Sequence, residues 1–560
     1  MEKILDNEYY DFIISTPRVS SFDTGDRITM LNDMYSLIHV HKDNMEPCDL
    51  GRHPYEDFPS LFTLASRIST EKSKSISIPR HSGLNLYGMD VITGIIDTGI
   101  DYRHPAFKNP DGTTRIITIW DQTIQDGKPP QGFSFGSEYG KNHINTALKS
   151  SDPISMVPST DTNGHGTAIA SIISGSPDQE QSFSGIVPQA KLAVVKLKEA
   201  KQNLKDIFFV PDDALCYQES DIILGIRYLF SLSKKLNSPL VLCIGLGSSQ
   251  GGHDGQGALS EYLDQLVYLP ITSVSTAAGN EGDNGRHYVH SSGEDPSSDE
   301  FYLNVGENDT MFSMEIWPFP FGKITIELIS PDQEAIRNVY YPYGHDCQKF
   351  SFNCCKTSVW INNIILDGHT GDQFILVRFD GAIPGTWTIR IKSMENQPLS
   401  FHAWLPSGTL ISYETYFLHS SPDTTVTAPG NAGNPLTVTT FNQLTGAILE
   451  ESGRGYTRSG QIVPDIAAPG YHLPCALPCG QYGSLTGTGA AAAYATGTAA
   501  LIMEWGYCRG NHTGITGNQV KRMIIRRAQR NPSDAYPNNI WGYGQMDVYK
   551  ILQQLSELAL

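Results

Sequence analysis

The order of apolar and polar positions divides the chain into four textures. Residues 1–75 hold short apolar stretches, Tyr10 to Ile14 and Met34 to Val40, and end in the polar run Ser69-Thr70-Glu71-Lys72-Ser73-Lys74-Ser75. Such a run reads as a linker or exposed junction. From 76 to 290 the pattern changes. Val91-Ile92-Thr93-Gly94-Ile95-Ile96 is a short apolar run bounded by turn residues, as in a strand buried on both faces. Lys191 to Val195 and Leu240 to Ile244 repeat it, with helical patterns at Ala168 to Ile173 and Asp221 to Leu232. This alternation predicts a parallel sheet with crossover helices.

Residues 291–420 read differently. Phe312 to Trp317, Ile324 to Ile329, Val359 to Leu366, Phe374 to Phe379, Thr386 to Ile391 and Ser400 to Leu405 are short and aromatic or β-branched, with Gly, Pro and Asp between them. They predict an all-β insert, a sandwich or jelly roll, whose aromatic residues form its own core. Residues 421–560 return to the α/β texture. Gly489 to Trp505, rich in Ala and Gly, predicts a buried helix packed closely on its neighbours. Thr516-Gly517-Asn518-Gln519 predicts a capping box opening a helix through Arg527.

Composition narrows the function. The chain has 560 residues, with 59 acidic and 40 basic side chains and a formal charge of −19. That balance argues against nucleic-acid binding through phosphates and against anionic membranes. Hydrophobic content of 39% and charged content of 18% are those of a globular protein. No apolar run reaches the roughly 18 residues of a membrane span, and the first residues carry no apolar signal core, so synthesis in the cytoplasm without a secretory signal is expected. The nine cysteines are few and odd in number. They read as ordinary reduced thiols rather than a disulfide framework or a metal site, and no metal or organic cofactor is expected.

Three segments carry chemistry. Ile95-Ile96-Asp97-Thr98-Gly99 puts a carboxylate at the end of a buried strand, where open parallel sheets keep their chemistry. Asn163-Gly164-His165-Gly166-Thr167 puts an imidazole at a helix start, and Ala278-Gly279-Asn280 ends a strand with an amide. A carboxylate can orient an imidazole, the imidazole can take a proton, and the amide can donate to an oxyanion. His253, in a glycine-rich loop, reads as a loop histidine.

Together with Pro464-Asp465-Ile466-Ala467-Ala468-Pro469-Gly470 and Leu485-Thr486-Gly487-Thr488, these segments resemble the subtilisin-like serine proteases. Ile116 to Gln122, Glu504-Trp505-Gly506, Trp541-Gly542-Tyr543-Gly544 and the layout are most similar to the Csp germination proteases of clostridial spores. The resemblance implies a subtilisin-like α/β fold with helices on both faces of a parallel sheet, an N-terminal α+β prodomain (1–75), a subtilase domain in two parts (76–290 and 421–560) and an inserted jelly-roll-like domain (291–420). It implies that Asp97 and His165 are catalytic positions, that Asn280 serves an oxyanion hole, and that Gly245, Leu246 and Gly247 pair with a peptide backbone; a plain glycine-rich turn is the other reading of Gly245 to Gly247.

The departure is at the nucleophile. The family carries Gly-Thr-Ser followed by Met or Ala and then Ala; this chain reads Gly487-Thr488-Gly489-Ala490-Ala491. Gly489 has nothing to attack a carbonyl with. In subtilisin, losing the nucleophile costs about 10⁶ in turnover. Thr488 and Ser484 are the nearest hydroxyls; Thr488 is expected to point away, and Ser484 to lie in the approach loop. The resemblance then implies a pseudoprotease that regulates or senses spore germination, sited in the spore cortex or coat. Its implied partners are its own prodomain in cis, an active Csp sibling protease, indirectly a cortex hydrolase precursor, and a small-molecule germinant. The prodomain is expected to stay attached and to dock on the cleft, with its junction between Ser66 and Ser77. The alternative is that Gly489 is an altered or misread codon; the protein is then a working serine endopeptidase that activates a cortex hydrolase.

Overall fold

A computed structural model describes residues 2–21, 28–45, 50, 53–72, 84–291, 297–319, 324–339, 347–353, 355–395 and 397–558. Its centre is an eight-stranded sheet. In spatial order the strands are Ile466–Pro469, Leu436–Phe441, Thr272–Ala277, Leu240–Ile244, Ile92–Asp97, Lys191–Lys196, Ile116–Asp121 and Ser137–Gly140. All neighbours run parallel except the last pair.

Consecutive apolar residues in the central strand serve two layers, which is why the run does not alternate. Ile95 packs with the helices His165–Ser174 and Thr488–Met503 on one face. Ile92 and Ile96 pack with Glu219–Leu236 and Ala258–Leu266 on the other. Every residue of Thr488–Met503 is buried, so its Ala and Gly content lets it sit close against the sheet. The capping box at Thr516 and Gln519 opens the helix Gly517–Arg526.

The insert is a sandwich of two antiparallel sheets with six and five strands. In Ile324–Ile329, Ile324, Ile326 and Leu328 face the core while the residues between them do not. Trp387, Ile389 and Ile391 meet them from the neighbouring strand Gly385–Ser393.

The N-terminal region is a three-stranded antiparallel sheet of Tyr9–Ser15, Tyr35–His41 and Thr29–Met30, with short 3₁₀ turns and no α-helix among the described residues. Two anchors fix it. Lys201 Nζ donates to Asp11 at 2.8 Å and to the Tyr9 carbonyl at 2.7 Å. Burial would push the Asp11 carboxyl up, but the Lys201 ammonium and His39 hold it down at about 2. The other anchor joins three parts of the chain. Glu315 of the sandwich accepts from Tyr55 Oη of the N-terminal region, from Trp317 Nε1 at 3.1 Å and from Gly251 N at 3.0 Å. Burial pushes the Glu315 carboxyl up to about 7.

Two expectations need correction. Cys347 is disulfide-bonded, so the cysteines are not all reduced; Cys216, Cys243, Cys355, Cys475, Cys479 and Cys508 are free thiols. The polar run from Ser69 is only partly a linker: Ser69 ends the strand Arg67–Ser69, and residues 73–75 fall outside the described residues. Among the described residues no helix is long and apolar enough to cross a membrane.

Candidate active site

Asp97 closes the central strand and His165 opens its helix, and both are almost fully buried. His165 Nδ1 lies 2.8 and 3.0 Å from the two Asp97 oxygens. Backbone and hydroxyl donors lock the pair. Thr98 N donates to Asp97 Oδ1 at 2.7 Å, and Gly166 N donates to Thr98 Oγ1 at 2.9 Å. Asp161 ties the loop to the helix start, accepting from Thr98 Oγ1, Gly164 N and Thr167 N within 2.9 Å. His165 Nε2 is buried without a hydrogen-bond partner. A carboxylate-held imidazole with a free Nε2 is arranged to accept a proton.

On the other side of the site, Asn280 Oδ1 accepts from Thr488 N and Thr488 Oγ1, both at 3.0 Å. Thr488 Oγ1 also accepts from Gly279 N at 3.0 Å. Those bonds fix the amide and turn the threonine hydroxyl into the strand–helix junction. Gly487 precedes them with φ +131°, a conformation that favours glycine. A Cβ there would lie 2.8 Å from the Ala65 carbonyl oxygen and 3.0 Å from Asn280 Nδ2. The Ala65 carbonyl and the Asn280 amide therefore border the same small space.

The chain's own N-terminal segment threads this space. The strand Leu61–Leu64 lies between Tyr217–Gln218 and Leu246–Gly247, antiparallel to both. Leu246 pairs with Leu64 and Gly247 with Thr63, and Ala65 N donates to Gly245 O at 2.9 Å. The Gly489 N–H then donates to the Ala65 carbonyl at 2.8 Å. Beyond it, Arg67–Ser69 adds to the edge of Gln481–Thr486. This register puts the Ala65–Ser66 peptide on residue 489, one residue before the expected junction range of Ser66 to Ser77. A cavity of about 180 Å³ opens beside Ala65, lined among others by Asn280, Glu281, Gly408 and Tyr413.

The structure thus brings Gly489 and Asn280 to the Ala65 carbonyl, Gly245, Leu246 and Gly247 alongside residues 63–65, and His165 and Asp97 against Gly245. Ser484 is elsewhere. It lies on a strand rather than in a loop, opposite Ser69, with its hydroxyl 3.1 Å from His472 Nδ1. His253 is buried, stacked on Trp404 at 4.0 Å, with burial pushing it down to about 4. Sequence reasoning missed Asp161, although an acid ahead of a helix start is a cap signal. It named Ser66 only as one end of the junction range and missed Ala65; the roles of both depend on tertiary register. Among the described residues no group of three or more His, Cys, Asp or Glu is placed to hold a metal ion.

The profile of the subtilase family matches residues 88–319 and 417–544, more than half of the chain. The chain belongs to the subtilase family. The gap in the match falls within the sandwich. This subtilase is 27% identical to the Clostridium perfringens CspB protease, with a TM-score of 0.75 over 85% of this chain and 94% of that one. It is 26% identical over 266 residues to the major intracellular serine protease of Bacillus subtilis (strain 168), 48% of this chain and 65% of that protein. It is 30% identical over 143 residues to the subtilisin-like protease SBT3 of Solanum lycopersicum, 23% of this chain and 19% of that protein. The subtilase thus spans less than two thirds of the length of these two relatives.

Proposed function

We propose that this subtilase is a pseudoprotease: it holds a peptide at its carbonyl, has glycine at the nucleophile position, and acts by binding. In this reading Asp97 orients His165, Asn280 and the Gly489 N–H face the oxyanion position, and Gly245, Leu246 and Gly247 pair with an extended backbone. One observation carries the reading. The Ala65 carbonyl rests at 2.8 Å on the N–H of Gly489, a residue without a side chain, and Gly245, which takes the Ala65 N–H, lies against the His165 ring, whose Nε2 has no partner. The groups that hold a scissile peptide are assembled, and the atom that would attack it is missing.

No neighbouring hydroxyl takes that atom's role in this reading. Thr488 Oγ1 is committed to Asn280 and Gly279, and Ser484 pairs opposite Ser69, three residues past Ser66. We assign residues 1–75 as a prodomain that stays attached, 76–290 and 421–560 as the two parts of the subtilase domain, and 291–420 as the insert. The resemblance of Ile116 to Gln122, Glu504-Trp505-Gly506 and Trp541-Gly542-Tyr543-Gly544 to the Csp germination proteases supports a setting in bacterial spores, where the chain regulates or senses germination. Its partners there are an active sibling protease, through it a cortex hydrolase precursor, and a small-molecule germinant.

Intact mass of the purified protein tests the first half. The chain is expected to remain at its full 61.6 kDa; self-release of an N-terminal fragment would overturn the reading. In spores that carry the chain, His165→Ala tests the second half once the variant is shown to keep its fold by Tm and its docked N-terminal segment by limited proteolysis. At matched folded protein, a binding role predicts unchanged germination, whereas a catalytic role predicts its loss.

A further inference from the structure

We propose that Ser66 stands in for the side chain that residue 489 lacks, filling its place and latching the N-terminal segment into the cleft. This inference rests on the reading of the site as a non-cutting subtilase. A Cβ on Gly489 would lie 2.5 Å from Ser66 Oγ and 3.3 Å from the Ala65 carbonyl carbon. The hydroxyl of Ser66 therefore occupies the volume into which a side chain at 489 would project.

That hydroxyl is also bonded. Ser66 Oγ accepts from Ala490 N at 2.9 Å. Ala490 belongs to the first turn of Thr488–Met503, whose leading N–H groups have no partner within the helix. The residue at the N-cap is Gly487, which has no side chain to offer. The cap is supplied instead from 424 residues away in sequence. With the Gly489 N–H on the Ala65 carbonyl, two successive N–H groups of the helix start are satisfied by two successive residues of the N-terminal segment. Withdrawing the segment would uncover both.

The pair is mutually exclusive. A serine at 489 must turn the Ser66 hydroxyl away from the helix before its own oxygen can face the Ala65 carbon. A peptide that displaces the segment must bring an equivalent acceptor. The geometry points to an extended peptide with a small residue at the docked carbonyl and serine immediately after it.

Four proteins test this: wild type, Ser66→Ala, Gly489→Ser, and the double variant Ser66→Ala/Gly489→Ser. Amide hydrogen exchange at Ala490 is read in the first two. Losing one net hydrogen bond predicts exchange about tenfold faster in Ser66→Ala; unchanged exchange overturns the latch. Self-cleavage is read in the two serine variants. The double variant is expected to cut several-fold faster than Gly489→Ser alone, since the competing hydroxyl is gone. Equal rates overturn the exclusion between 66 and 489, because a merely structural Ser66 would not couple to residue 489. If neither serine variant cuts, an intact acid–base half is refuted, and Ala490 exchange still decides the latch.

Discussion

The two sides of the cleft that holds residues 61–69 are built differently. On the acid–base side, Asp97 and His165 are side chains locked by Thr98, Asp161 and Thr167 across a strand end, a loop and a helix start. Removing one of them leaves buried polar groups unpaired, which is costly to the fold. On the other side, the peptide is held by backbone: the N–H of Gly489, the carbonyl of Gly245 and the pairing of Leu246 with Leu64. The nucleophile of a subtilase is a single oxygen at that helix start. In the proposed reading that oxygen is absent, and Ser66 Oγ lies 2.5 Å from where a Cβ at 489 would sit. Peptide binding can therefore outlast peptide cutting on the same scaffold.

The sharpest way to break this contrast is to restore the oxygen. On the pseudoprotease reading, Gly489→Ser turns a chain that stays whole into one that processes itself, with a gain of up to about 10⁶ in rate, read by intact mass over time. Within that variant, Asp97→Asn should slow the cut by about 10⁴, because the imidazole loses its orienting carboxylate. A loss of less than tenfold would mean that the acid–base side is no longer functional.

Other changes probe how the N-terminal region is kept in place. Lys201→Ala leaves the buried Asp11 without its ammonium and should cost about 3–5 kcal/mol, seen as a lower Tm and earlier proteolysis of residues 1–60. Glu315 is held at about 7, against roughly 4.3 in an unfolded chain. The folded form binds its proton more tightly, so this contribution is complete below about pH 4.3 and is lost as pH rises towards 7. Glu315→Gln should remove a pH-dependent loss on the order of 3 kcal/mol over that window, flattening Tm against pH. Asp11 has the opposite sign. Its contribution is present above about pH 4 and lost as pH falls through about 2. Asp11→Asn should flatten the acid limb of the same curve.

The sheet and its helices were legible in the sequence because Ile95–Ile96, Leu192–Val195 and Leu240–Ile244 are apolar on successive residues, as suits a strand covered on both faces. The sandwich was legible through short aromatic or β-branched runs set apart by Gly, Pro and Asp, among them Ile324–Ile329, whose alternate residues the structure buries. Asp97, His165 and Asn280 sit in short motifs whose glycines and turns are local, so the sequence alone picked them out, whereas Gly489 was found through the resemblance of its flanks to the subtilisin-like proteases. The occupant of the cleft was not legible. Leu61–Ser69 has no special composition, and its meaning comes from pairing with residues 217, 246 and 485, far away in sequence. Asp11 with Lys201 and Tyr55 with Glu315 escaped for the same reason: a buried polar pair across distant segments leaves no periodic mark. The disulfide at Cys347 was likewise hidden by an odd, sparse cysteine count.

The central claim of the proposed reading is that the Ala65–Ser66 peptide is docked at residue 489, and that a serine restored there cuts it once the Ser66 hydroxyl turns away. The most direct test is N-terminal sequencing of the large fragment released by Gly489→Ser, beside wild type treated identically. The account predicts a fragment beginning at Ser66 from the variant and none from wild type. A variant that stays whole, or is cut at any other bond, would contradict it.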